Sequence, residues 1–157
     1  MAGGVFERIA ARWGAEALEA ATEHGLFALL LDPAQLAAVA RSLKTEFGFD
    51  MLLDITAVDW PERAPRFDVV YHFYSTTDFV RVRLKTRVPL EAPSVDSLVA
   101  LYNSARFQER ECHEMYGIEF RGNGDLRPIL LYEGFVGHPL RKDYPKHREQ
   151  PLVPYLK

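Results

Sequence analysis

Between residues 109 and 120 the chain reads ERECHEMYGIEF, which crowds Glu109, Glu111, Cys112, His113 and Glu114 into one short stretch. Side chains of these types can do two kinds of chemistry. A carboxyl group raised by burial can act as a general acid or base, and thiolate and imidazole groups can ligate a metal. The alternative is a helix whose charges pair across a contact. On a helix Phe107, Glu111 and Met115 fall at i, i+4 and i+8, and Cys112 and Tyr116 extend that face. Glu111 is therefore expected on the apolar stripe, where an unpaired charge is costly. Arg110 and Glu114 are expected to pair on the flank. Glu111 is then either a general acid or base, or half of an ion pair where two domains or subunits meet. No nucleophile or second carboxylate is fixed nearby by spacing, which favours the ion pair. Breaking such a pair costs roughly 2–5 kcal/mol. Cys112 and His113 project about 100° apart on a helix and chelate one ion poorly. There is neither a second cysteine nor an H-E-x-x-H pattern, so a small buried thiol beside an exposed imidazole is the better reading.

Two further groups of residues compete for a role. In FVRVRLKTRV, Val80, Val82, Leu84 and Val88 alternate with Arg81, Arg83, Lys85 and Arg87. With the aromatics of VVYHFY beside it, such a face could bind single-stranded nucleic acid. A solvated or edge-guarding basic face is the competing reading, and the acidic net charge of −3 favours it. In YEGFVGHPLRKDYP, Gly134 and Gly137 could form an anion nest backed by Arg141 and Lys142. A phosphate loop needs a strand before it and a helix after it, and Pro139 argues against the helix. His72, across the strand from Tyr71 and Phe73, reads as a partly exposed or satisfied histidine. Trp13 and Trp60 read as packing anchors.

These residues need elements to hold them. Val5, Phe6, Ile9, Ala10 and Trp13 recur at helical spacing before Gly14. The segment after it is ambiguous, and residues 26–31 read as a strand. Asp32 is an N-cap followed by Pro33 and Gln35, and Leu36, Val39, Ala40, Leu43 and Phe47 continue a helix. Met51, Leu53, Ile55 and Ala57 alternate as one strand, Phe67, Val69, Tyr71 and Phe73 as a second, and residues 79–88 as a third. Ser94 caps a short helix reaching Tyr102, and a second helix runs from about Ser104 to Tyr116 before Gly117. The expected fold is α+β: a mixed, largely antiparallel sheet with helices packed on one face, followed by an extended C-terminal arm. The division falls at residues 1–120 and 121–157. The arm holds five prolines and four glycines with little periodicity, too long for an ordinary loop, so it is expected to lie on another surface. With 157 residues, 48% apolar and 26% charged, the chain suits one soluble domain. One cysteine leaves no internal disulfide. No leader is expected from the first residues, and no stretch reaches the roughly 20 apolar residues of a membrane span.

ERECHEMYGIEFRGNGDLRPIL followed by EGFVGHPLRKDYP resembles the signature region of the thirty-kilodalton subunit family of respiratory complex I, the NADH-quinone oxidoreductase of bacteria. LLDITAVDWP, residues 52–61, precedes it in the same order, and the resemblance runs from about Leu26. It implies a peripheral-arm subunit without catalytic, cofactor or metal residues of its own. Flavin and iron–sulfur clusters would belong to partner subunits. The partners implied are the large quinone-site subunit and neighbouring iron–sulfur subunits, with no nucleic acid and with membrane contact only through the complex. The place implied is the cytoplasmic side of the bacterial inner membrane, and an equivalent subunit of a membrane-bound hydrogenase or other-donor quinone reductase is the alternative. The contact or ion-pair residues carried by the matching positions are Glu109, Arg110, Glu111 and Glu114 on the helix, and Arg127, His138, Arg141, Lys142 and Asp143 on the arm. Glu111 is expected to meet Arg127 or Arg141, since a core-facing carboxylate favours a bidentate arginine. The chain departs from the family pattern at Cys112 and His113, and at Asn123 and Gly124 where His-Pro is usual.

Overall fold

The computed structural model of the chain describes residues 2–13, 21–23 and 26–147. The Gly14 stop signal and the end of the arm lie outside them. In chain order the elements are α1 (Ala2–Trp13), β1 (Ala21–Glu23), β2 (Leu26–Leu31), α2 (Leu36–Thr45), β3 (Met51–Asp59), β4 (Phe67–Tyr74), β5 (Arg81–Val88), β6 (Ser94–Asp96), α3 (Ala105–Tyr116) and β7 (Glu119–Arg121). The main sheet has five strands in the order β1-β2-β5-β4-β3. It is antiparallel except where β2 runs parallel to β5.

Register explains the core. Ile55 lies opposite Tyr71 and Tyr71 opposite Leu84, with Leu29 beside Leu84 on β2. This face also carries Phe67, Val69, Phe73 and Val82, all buried. Alternation along the strands puts every second residue there. Ile9 of α1, Leu36, Val39, Ala40 and Leu43 of α2, and Ala105 and Cys112 of α3 join the same cluster. Each fully buried Leu, Val, Ile or Phe contributes about 1.5–3 kcal/mol.

Asp32 accepts the Ala34 amide at 2.8 Å, as its cap position requires, and a turn of 3₁₀ helix at Pro33–Gln35 leads into α2. The helix stops at Thr45, short of Phe47. Gly48 at φ +71° turns the chain, and the Phe49 amide returns to the Leu43 carbonyl at 2.9 Å.

Three expectations fail for definable reasons. Met51 and Leu53 are exposed, whereas Leu52 is buried. An irregularity between Leu52 and Asp54 switches faces within β3, so only Ile55 and Ala57 follow the expected alternation. Ser94 caps no helix. Ser94–Asp96 instead pairs in parallel with Glu119–Arg121 in a second, two-stranded sheet, burying Val95 and Phe120. Trp60 is half-exposed rather than a packing anchor, and its indole N–H donates to Asp68 at 3.1 Å.

The far face of the sheet carries Arg81, Arg83, Lys85 and Arg87 beside His72 and Tyr74. It is partly neutralised at one end, where Asp68 pairs with Arg63 and lies 3.5 Å from Arg87.

Candidate functional site

Helix α3 is clasped between the sheet and the chain that follows it. Its sheet-facing stripe is Ala105, Glu109, Cys112 and Tyr116, at i, i+4, i+7 and i+11. Glu109 is fully buried. Its carboxylate accepts the Leu98 amide at 2.7 Å, the Ser97 hydroxyl at 2.7 Å and the Asn123 side-chain amide at 2.8 Å. Burial pushes this carboxyl upward while those donors pull it back. It ties α3 to the segments before and after it. Beside it the Cys112 thiol is buried, and desolvation pushes its pKa well up. That makes it a packing group rather than a reactive one.

The opposite side of α3 holds the arm by its backbone. The Glu114 carboxylate accepts the amides of Ile129, Leu130 and Leu131 at 3.0, 2.8 and 3.3 Å. Arg110 donates to the carbonyls of Arg127 and Pro128 at 2.8 and 3.0 Å. An acid and a base one turn apart thus grip residues 127–131 without regard to side chains.

The arm then caps the helix. The last carbonyls of an α-helix have no partner within it. Here that of His113 accepts the Gly117 amide, that of Glu114 the His138 imidazole, that of Met115 the Leu140 amide, and that of Tyr116 the Arg141 guanidinium. Arg141 also places positive charge at the negative end of the helix dipole. Gly117 sits at φ +74°, and a Cβ there would strike Arg141 and lie 2.5 Å from the His138 ring nitrogen. The left-handed conformation favours glycine, and a side chain there would displace Arg141 and His138 from the helix end.

The next residues reach the sheet. Asp59, at the end of β3 with its side chain fully buried, binds Arg66 bidentately at 2.6 and 2.7 Å and accepts the Lys142 amide at 2.7 Å. The third nitrogen of Arg66 donates to Asp143 at 2.8 Å. Arg66 and Arg141 both stack on the Phe67 ring, at 5.3 and 5.2 Å. The hydrogen bond from Arg66 holds the Asp59 carboxyl below its ordinary value.

These two runs of sequence, residues 109–118 and 134–145, form one structural unit, and both lie within the stretch shared with a known family. The family described as "Respiratory-chain NADH dehydrogenase, 30 Kd subunit" matches residues 29–150. The chain belongs to that family. The corresponding NADH-quinone oxidoreductase subunit of Xanthobacter autotrophicus is 44% identical over 78% of this chain, and that of Moorella thermoacetica is 44% identical over 74%. The chain spans 59% of the length of the first and 78% of the second. Among solved structures, the trypsin-resistant fragment of Nqo5 superposes with a TM-score of 0.72 at 29% identity, covering 78% of this chain and 99% of the fragment. A chain of a membrane-bound sulfane sulfur reductase, described as an archaeal respiratory membrane complex, superposes with a TM-score of 0.81 at 23% identity over 93% of this chain and 86% of its own, and so shares the fold.

Within this member of the 30 kDa subunit family, the residues singled out from sequence divide. Arg110 and Glu114 face the same strip of arm, but each takes backbone groups there rather than forming an ion pair with the other. Glu111 is exposed, and Arg127 and Arg141 both bind elsewhere. On the stripe of Phe107, Glu111 and Met115, Phe107 and Glu111 are exposed and Met115 is half-buried. Arg127 pairs locally with Asp125 at 2.8 Å, with its own side chain 82% exposed. His138, Arg141 and Asp143 act as described above, whereas Lys142 contributes its amide and leaves its side chain exposed. His113 is half-buried rather than exposed, with Nδ1 2.8 Å from the Ile118 carbonyl oxygen.

Asp59 and Arg66 escaped the sequence reading. The available signal was position, since Asp59 continues the core-facing alternation of Ile55 and Ala57. Asn123 serves Glu109 as a donor, a role that its place in the sequence did not announce.

Proposed function

We propose that this chain is a non-catalytic peripheral-arm subunit of a proton-translocating NADH:quinone oxidoreductase. On this reading it packs through its C-terminal arm on the large subunit bordering the quinone site, on the cytoplasmic side of a bacterial inner membrane. Electrons from NADH then pass through flavin and iron–sulfur clusters of neighbouring subunits.

One observation carries the reading. The charged side chains of the signature, Glu109, Arg110, Glu114 and Arg141, are occupied by groups of this chain. Among the side chains the clasped unit turns outward are four large apolar ones, Phe107 at 56% exposure, Leu130 at 62%, Val136 at 59% and Leu140 at 48%, beside the charged Glu111, Arg127 and Lys142. Large apolar side chains left exposed beside a signature whose charges are already satisfied favour a protein–protein contact. A catalytic site would instead need an open, convergent set of polar groups. Among the described residues no group of three or more His, Cys, Asp or Glu is placed to hold a metal ion, and no helix is long and apolar enough to cross a membrane.

Co-expression with the large and iron–sulfur subunits tests the proposal. The chain is expected to co-purify with the large subunit and, when purified alone, to show no visible absorbance and no NADH oxidation. A flavin or cluster band in the isolated chain, or failure to co-purify, would overturn it.

A further inference from the structure

The charged groups around Phe67 do more than neutralise one another. Asp59 ends β3 and Arg66 immediately precedes β4, whereas Arg141, Lys142 and Asp143 belong to the arm more than 70 residues later. Asp59 contributes two acceptor oxygens, used by Arg66 and by the Lys142 amide. Arg66 contributes three nitrogens, two on Asp59 and one on Asp143. Because each member is held by the other, the pair presents a donor and an acceptor to the arm in a fixed orientation.

We propose that Asp59 and Arg66 form a latch that seats the C-terminal arm on its own sheet, so that the arm is ordered before any partner is met. The arm's first two holds, at residues 127–131 and at the C-terminus of α3, fix its course along the helix. The latch fixes the stretch beyond, at residues 141–143. Its members are unequal. Asp59 is a fully buried carboxylate with three donors upon it, and its loss leaves Arg66 and the Lys142 amide without their acceptor. The Asp143 side chain is 57% exposed and receives one of the three Arg66 contacts. The chemistry therefore ranks the latch residues, with Asp59 above Asp143. That a preformed arm speeds docking on a partner subunit rests on the function proposed above. The latch itself does not.

Hydrogen exchange followed by mass spectrometry on the 157-residue chain, alone in solution, tests the latch without reference to any partner. In the unsubstituted chain, peptides spanning 138–144 should exchange at least about tenfold slower than an unstructured peptide of the same sequence, because the Leu140 and Lys142 amides have acceptors at 3.2 and 2.7 Å. Asp59→Asn should remove most of the protection at 141–144, where the Lys142 amide loses its charged acceptor, while β4 (67–74) and β5 (81–88) stay protected, and Asp143→Asn should remove about two- to fivefold. Rapid exchange of 138–144 in the unsubstituted chain would overturn the latch. So would an unchanged arm in both variants, or a larger effect at Asp143 than at Asp59. If Asp59→Asn also opens the sheet, Asp143→Asn decides: partial arm release supports the latch, and an unaltered arm overturns it. Co-purification with the large subunit, measured separately, tests the function and leaves this result standing either way.

Discussion

Replacing Glu109 by alanine should be among the most damaging single changes on α3. The carboxylate is fully buried and serves three donors, at 2.7, 2.7 and 2.8 Å. Alanine abandons them all. The Leu98 amide sits in a fully buried residue and has no route to water, so its loss alone costs about 1–3 kcal/mol. The Ser97 hydroxyl and Asn123 amide are part-buried and recover some solvent contact, adding about 1 kcal/mol each. Relief from burying a carboxylate offsets part of this. The expected loss is about 2–4 kcal/mol, a large part of the roughly 5–15 kcal/mol that holds a typical domain together. With a urea slope of about 2 kcal/mol/M, the midpoint falls by about 1–2 M. Glu109→Gln keeps one acceptor for Leu98, and the neighbouring hydroxyl and amide can reorient, so about 1–2 kcal/mol is expected. Glu111→Ala, on the exposed face, should leave the midpoint unmoved. Equilibrium urea unfolding of the three variants checks the set. A loss below about 1 kcal/mol for Glu109→Ala, or a larger loss at Glu111 than at Glu109, would refute the reasoning that buried acceptors rather than the outer stripe hold this helix.

Gly117→Ala should destabilise by about 1–3 kcal/mol from the left-handed backbone alone. It should also speed arm exchange by displacing His138 and Arg141, and thermal unfolding with hydrogen exchange reads both. Burial depresses the pKa of His72 and of His138 below the ordinary 6.5. Both therefore stabilise the fold in the neutral form, and that contribution is full above about pH 6.5 and is lost as pH falls through their lowered values. Unfolding midpoints should decline from pH 7 to pH 5, and the His72→Gln, His138→Gln double variant should flatten that slope.

The sheet strands β4 and β5 were legible because their residues alternate cleanly, and α3 because Gly117 ends it. The face of α3 was not. Phe107 looks like a core residue and Glu109 does not, yet Phe107 is exposed, and a carboxylate with three local donors belongs inside. Periodicity records apolarity and cannot tell a core from a docking face. The same limit hid Asp59, a charge at a core position whose partners lie 7 and 83 residues away. Ser94–Asp96 misled because Ser94 resembles a cap. Its strand character is set by pairing with Glu119–Arg121, a tertiary contact that local propensity does not contain. The arm's irregular composition was plain, but where it returns is set by individual hydrogen bonds to α3.

The proposed role requires the exposed apolar side chains of the arm to meet a partner. Co-purification with the large subunit tests it most directly, comparing the unsubstituted chain with Leu130→Asp and Leu140→Asp, two exposed positions whose backbone amides, not side chains, hold the arm. Both variants should fold with unchanged urea midpoints, and the recovered complex should fall at least about tenfold, as for loss of central interface anchors. Undiminished recovery with both charges in place would contradict it.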